Sequence, residues 1–500
     1  MGGTCGLPEL FGVKVQPAAY RLLAQASNLG EGYLEKGPVS HPVLDHLTAP
    51  LHFFGGISVL PDGGQLRASV LDAHGRATPR AGVVEQSTGD GLCLLIAADL
   101  TGSVVRIQQG TAISRDGVPA PDGTAPVADT ILKTDDGLVL DWLFDRQPVP
   151  GVDGMSAFLQ PVADLWREVL LRAIFYAATW LGLSLPLLWL YPRNLPALAE
   201  LSHDTDLNVP ELAWHLLEVL KQADVHSSWC VLLPGYPPEV ITAIREAGHE
   251  LAMHYDAFST DRPWGEPNFQ GQRQVLTEMF GGQAPVTNKN HYLRWEGDSE
   301  FWEWCVASGI QLDQSKGPSK TGGVGFPFGT CHPYLPLDPG GHILDVLELP
   351  TLTQDLVLTA PLELAPPMLA AVLKSHGVFH LLFHPNHIRK PGQSAAVLSA
   401  TALARAAGLE WWTAAEINRW ERARRQTCWH GAPNGAYTLS STVSLHQATL
   451  LCLESSSGQP ANVAINGVAQ DVQVVERWGY RFQSVVLDLI PHSEYRLEVV

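Results

Sequence analysis

The sequence predicts an α/β protein. Its central region, residues 196–425, alternates strands and helices around a parallel sheet or barrel. A mixed α and β region precedes it and a small β-sandwich follows. Three observations carry this prediction. First, NVPELAWHLLEVLKQADV and PPEVITAIREAG show apolar residues at helical spacing, and the short apolar runs SSWCVLL and HELAMHYD follow them. Repeated strand–helix units of this kind build parallel sheets, with function at the C-terminal ends of the strands. Second, residues 426–500 change character to alternating, β-branched runs such as AYTLSSTVSLHQATLLCLES and YRFQSVVLDLI, the pattern of antiparallel strands. Third, 500 residues at 45% hydrophobic and 17% charged are globular in balance but too long for one core, so about three domains are expected.

Residues 1–145 are rich in Gly, Val and turn signals. GLCLLIAADL (91–100) reads as a buried strand, and SVVRIQQG and GLVLDWLF read as short alternating runs. Asp116-Gly117, Asp122-Gly123 and Asp136-Gly137 have the chemistry of hairpin turns between them. Residues 146–195 read as a connector, the loop RQPVPGVDG followed by an apolar helix. The stretch Ala173 to Tyr191 is apolar enough to suggest a membrane span. Pro186 interrupts it, however, and Arg167, Glu168 and Arg172 precede it, so a buried helix and no membrane span are expected. Within 196–425, LPALAELSHD reads as a strand entering a polar loop, and Gly248 closes the helix PPEVITAIREAG.

Charge and cysteine content narrow the function classes. Lys plus Arg number 32 against 51 Asp plus Glu, a formal charge of −19, which disfavours nucleic acid and leaves a neutral sugar polymer open. The seven cysteines are odd in number and widely spaced, with no C-x-x-C, so neither a disulfide framework nor a thiolate zinc site is expected. MGGTCGLPELFG has no basic segment and no apolar core. The chain as written therefore reads as cytoplasmic, unless its true start lies upstream.

Four segments could carry chemistry. In SHDTD, Asp204 and Asp206 lie two residues apart at a strand end, so one could hold a metal while the other stays free as a base. The same residues could equally be a helix N-cap cluster. In GHELAMHYD, His249 and His254 fall on opposite faces of a strand. His249 reads as structural, and His254 gains interest from the aspartates. TNKNHYLRW offers Asn288, Asn290, His291 and Arg294, with a solvated turn as the plain alternative. In GVFHLLFHPNHI an apolar strand runs into His384, placed as a general acid would be, and His380 and His387 are weaker candidates.

The order of these motifs resembles the polysaccharide deacetylases, the NodB-homology enzymes of carbohydrate esterase family 4, over residues 196–425. GFPFGTCHPY (325–334) and LELPTLTQD (347–355) are similar to segments of a bacterial subgroup. The resemblance implies a distorted (β/α) barrel of deacetylase type and a divalent metal, zinc by preference. It implies Asp204 as catalytic base, Asp206 and His254 as metal ligands, and His384 as catalytic acid. The expected substrate is an acetylated oligo- or polysaccharide, bound by Arg294, Trp295 and Tyr334; homo-oligomers are compatible with it. Two departures stand out. The second His of the family's His-x-x-x-His falls on Phe258, which cannot bind a metal, and the Arg-x-Pro motif is replaced by NKNHYLR. His291 is the expected replacement ligand, with Asp256 and His332 as alternatives. The competing functions are a carbohydrate-binding scaffold that kept the fold without activity, and hydrolysis of a non-sugar amide.

GLPELFGV, SHPVLDHL and LCLLIAADLTGSVVRI bear a fainter resemblance to glutamine-amidotransferase-like domains. Leu7 stands where the second Gly of Gly-x-Cys-x-Gly belongs, beside Cys5. No amidotransferase activity is expected, and the region reads as structural or oligomerising.

Overall fold

Strand–helix alternation in residues 196–425 becomes one curled parallel sheet. The structure is a computed structural model describing residues 7–16, 28–125, 131–258, 261–431, 437–454 and 463–499. The sheet strands are β1 Leu198–Asp204, β2 Ser228–Val231, β3 Glu250–Tyr255, β4 Thr287–Asn290, β5 Leu312–Asp313, β6 Leu347–Glu348, β7 Thr353–Gln354, β8 Val378–Leu382 and β9 Glu410–Trp411. Their order is β6-β5-β4-β3-β2-β1-β8-β7, and β9 pairs with β1. Every pairing is parallel.

The two edge strands belong to one stretch of chain. β6 pairs with β5, and four residues later β7 pairs with β8. Between them the Leu349 N–H donates to the Asp313 carbonyl and the Leu352 N–H to the His380 carbonyl. This kinked segment, LELPTLTQ, spans the seam of the curl and removes the open edges that would otherwise invite pairing.

Helices cover the outside. In α1, Pro210–Ala223, a proline opens the first turn and Ala213, Leu216, Val219, Leu220 and Ala223 are buried. In α2, Pro238–Glu246, the buried residues are Val240, Ile241 and Ile244, and Gly248 follows with φ +82°, a conformation that favours glycine. These faces pack against Ala199, Leu201, Trp229 and Val231 from the outer side of the strands. Each fully buried Leu, Ile or Val contributes about 1.5–3 kcal/mol.

Strand alternation sends the other set inward. Glu200, Ser202 and Asp204 of β1 meet Lys289, Gln314 and His380 inside the curl, all buried. The Lys289 ammonium donates to Ser202 Oγ at 2.5 Å, Ser202 Oγ lies 2.8 Å from His380 Nε2, and Gln314 Nε2 donates to Glu200 at 2.6 Å. The interior of the curl is thus a polar, hydrogen-bonded column, which pins the side chains at its mouth.

The chain divides into two compact units. One holds residues 1–110, 139–145 and 162–177; the other holds the rest, including the curled sheet. In the first, an antiparallel sheet orders Leu51–Phe54, Glu31–Lys36, Gln65–Asp72, Ala77–Thr88 and Gly91–Ile96. Several expectations are corrected here. SVVRIQQ is helical, within Leu100–Gln109, because the Asp99 carboxylate accepts from the Gly102 N–H and caps the first turn. GLVLDWLF forms no strand, and among the described residues none of the three Asp-Gly pairs joins paired strands. An all-antiparallel sheet lends nothing to the amidotransferase likeness, and Cys5 lies outside the described residues.

The apolar stretch 173–191 is not one buried helix. The helix runs Val162–Trp180, and Trp180 at its end and Leu181 just beyond it are exposed. After a turn at Gly182, Pro186–Leu188 forms a strand paired with Leu450–Cys452. No described helix is long and apolar enough to cross a membrane. That short strand extends one of two antiparallel sheets built largely from residues 427–499, and Leu439, Leu450, Val485 and Leu497 are buried together in their shared core. No disulfide joins the six described cysteines.

In the first unit His52 is fully buried, with Nδ1 2.7 Å from Asp145 and Nε2 3.2 Å from Glu31. Burial lowers its pKa, but the hydrogen bonds to the two carboxylates outweigh this and raise it to about 9. A folded-state pKa above the unfolded value of about 6.5 stabilises fully below that pH, and the gain is lost as pH rises through 9. The melting temperature of this unit is therefore expected to fall between pH 6.5 and 9, and His52→Gln to flatten that slope. An unchanged slope in the variant would show that another group sets it.

Candidate functional site

The loops leaving β1, β3, β4, β7 and β8 meet at the C-terminal mouth of the curl. After Asp204 the chain turns sharply, with Asp206 at φ +37° and Asn208 at φ +49°. Thr205 Oγ1 donates to Asn208 Oδ1 and accepts from the Leu232 N–H, and Asn208 Nδ2 donates to the Leu232 carbonyl. The Asp-x-Asp turn is thereby tied to the loop after β2, which fixes where Asp206 points.

Three ligand-type atoms face each other here. Asp206 Oδ1 lies 3.6 Å from His254 Nε2 and 3.8 Å from His291 Nε2. These gaps are too long for hydrogen bonds. They are slightly wider than the roughly 3.3 Å between two atoms bound tetrahedrally to one zinc ion. His254 Nε2 and Asp206 Oδ1 are buried without hydrogen-bond partners, an arrangement that costs free energy unless something charged sits between them.

Each imidazole is held in the tautomer a metal requires. His254 Nδ1 donates to the Lys289 carbonyl at 2.8 Å, and His291 Nδ1 donates to Asp256 at 3.1 Å, which leaves both Nε2 lone pairs facing Asp206. Burial opposes the charge on Asp256, but His291 and Arg262 hold its pKa at about 2. The donor set of one carboxylate and two imidazoles, each presenting Nε2, suits zinc or a similar divalent ion.

Two further groups flank this set. Asp204 Oδ1 lies 3.4 Å from Lys289 Nζ. Burial opposes ionisation, but the Lys289 ammonium, with His254 and His384, keeps the carboxyl below its usual pKa. His384 Nε2 lies 3.8 Å from Asp206 Oδ2, and its Nδ1 is 2.6 Å from Asp355. Burial lowers its pKa, but Asp355, with Asp204 and Asp206, raises it to about 9, so the ring carries a proton at neutral pH. Asp355 also accepts from the His384 N–H and binds His387 Nδ1 at 2.8 Å.

The structure thus brings Asp204, Asp206, His254, His291 and His384 together. It does not bring the others. The Arg294 guanidinium pairs with Glu296 and lies 6.0 Å over Trp264. Trp295 is 1% exposed, with the Lys316 ammonium 4.2 Å from its ring centre, and Tyr334 is 6% exposed. Rings packed this way offer no open face to a sugar. His332 donates from Nε2 to the Ser375 carbonyl, away from the cluster, and His249 accepts from the Ser227 N–H. Asp256 stands behind His291 rather than in its place. Lys289, Asp355 and Ser202 were not singled out from sequence. Lys289 and Ser202 lie inside motifs that were, and their inward register on β4 and β1 is the signal that could have found them.

No family model matches the chain, and no curated protein matches it. Similar solved structures include two named as polysaccharide deacetylases. One, from Mycobacterium smegmatis, has 19% identity and a TM-score of 0.37, covering 47% of this chain and 93% of its own. The other, from Pseudomonas aeruginosa PAO1, has 18% identity and a TM-score of 0.32, covering 42% and 72%. The Puue allantoinase is similar at 15% identity and a TM-score of 0.36, covering 47% and 92%. Likenesses this weak carry no functional weight.

Proposed function

We propose that this chain is a metal-dependent hydrolase that removes acetyl groups from a glycan. The observation that carries the reading is the convergence of unpartnered Asp206 Oδ1 and His254 Nε2 with His291 Nε2, beside an ionised Asp204 and a protonated His384. A divalent ion held by Asp206, His254 and His291 would lower the pKa of a bound water and polarise the acetyl carbonyl. Asp204, kept ionised by Lys289, accepts the proton from the attacking water. His384, charged and oriented by Asp355, delivers a proton to the leaving nitrogen or oxygen of the sugar. The glycan part of the reading comes from the order of motifs in 196–425, which follows the deacetylases.

Phe258 is the feature that favours the inactive alternative, and His291 answers it by filling the third ligand direction. His291→Ala is expected to lower bound metal, measured by elemental analysis after dialysis, far beyond the roughly 10–100-fold affinity loss expected for Asp256→Asn, which removes only an outer hydrogen bond. Unchanged metal content would remove His291 from the ligand set. Acetate release from acetylated chito-oligosaccharides against simple amides separates a glycan hydrolase from a general amidase.

A further inference from the structure

Large apolar residues left on a surface singly need no explanation. At the mouth of the curl they recur on the loops that carry the site residues. Leu207 follows Asp206, Phe258 lies two residues from Asp256, Tyr292 follows His291, and Val357 and Leu358 follow Asp355; all five are exposed. Each loop that delivers one of these aspartates or His291 therefore also delivers exposed apolar surface.

The aromatic members form one object. Phe258, 55% exposed, and Tyr292, 49% exposed, are stacked with ring centres 5.3 Å apart and an interplanar angle of 27°. The Tyr292 ring centre lies 4.3 Å from that of His291, and Phe258 lies 6.4 Å from it. One carboxylate indexes the pair against the cluster: Asp256 accepts from the Phe258 N–H at 3.2 Å and from His291 Nδ1. Tyr292 is held at φ +60°, a backbone state that is costly for a tyrosine unless its surroundings impose it.

We propose that Phe258 and Tyr292 form a stacking platform for the apolar face of a pyranose ring, and so select saccharide over small amides. The inference rests on the deacetylase reading and adds the residues that give it a sugar substrate. Flat aromatic faces recognise flat apolar faces with little loss of side-chain freedom.

The test uses the full chain loaded with zinc and acetylated chitohexaose as probe, by calorimetric binding and by acetate release. Phe258→Ala and Tyr292→Ala are expected to raise the Kd and KM for the hexaose by about tenfold each, with bound metal unchanged. The kcat/KM ratio of hexaose to acetamide should fall by a similar factor, and Phe258→Trp should restore it. If wild type releases acetate and neither variant changes that ratio, the platform is overturned while the hydrolase reading stands. If wild type binds the hexaose through these rings without releasing acetate, the hydrolase reading falls and the platform stands. Neither binding nor release overturns both.

Discussion

Asp204→Asn is expected to cut acetate release by about a hundredfold to ten-thousandfold, the range for loss of a positioned base, while bound metal stays at the wild-type level. The reason is a division of labour between two carboxylates two residues apart. Asp206 Oδ1 faces both His254 and His291, whereas Asp204 faces only His254 of these two, at 3.8 Å, and its Oδ1 lies 3.4 Å from Lys289 Nζ. An amide at 204 keeps the shape but has no basic lone pair to take a proton, and the ligand set is untouched. Asp206→Asn makes the complementary case and should lose metal and rate together. Steady-state kinetics beside elemental analysis distinguishes them. A loss of under tenfold at 204, or a loss of metal with it, would mean that the two aspartates do not have separate roles.

How much of this was legible in the sequence follows from which signals are local. Helical spacing located α1 and α2, and the apolar runs located β2 and β8, because these elements bury one face against one layer. His254 and His384 could be placed at strand ends for the same reason. Trp295 and Tyr334 could not be told from sugar-binding aromatics, since a buried ring and an exposed one look alike in sequence; only the Lys316 ammonium against Trp295 shows where that face is spent. SVVRIQQ reads as a short alternating run, yet it is the body of a helix whose first turn the Asp99 carboxylate caps. The apolar stretch 173–191 misled because the end of a helix and a short strand follow one another in the chain there without a polar break. Asp355 ends the segment LELPTLTQD, but its partnership with His384 spans 29 residues and depends on the kinked β6–β7 stretch, which no periodicity announces.

Lys289→Met is expected to destabilise the unit containing the curled sheet by about 3–5 kcal/mol, the cost of leaving one member of a buried ion pair alone. Lys289 is fully buried on β4. It donates to Ser202 Oγ and faces Asp204 at 3.4 Å, and Ser202 in turn meets His380. Methionine matches the stem in volume but leaves Asp204 charged in a buried site without its ammonium, and Ser202 Oγ without its donor. The carboxyl escapes only by taking a proton, which also removes the base, so activity should fall with stability. Asp204→Asn/Lys289→Met should then be less destabilised than the sum of the single variants, because the second change removes the orphaned charge left by the first. Urea midpoints of the four proteins close this cycle. A coupling near zero would show that Lys289 serves the polar column through Ser202 alone and does not hold Asp204 ionised.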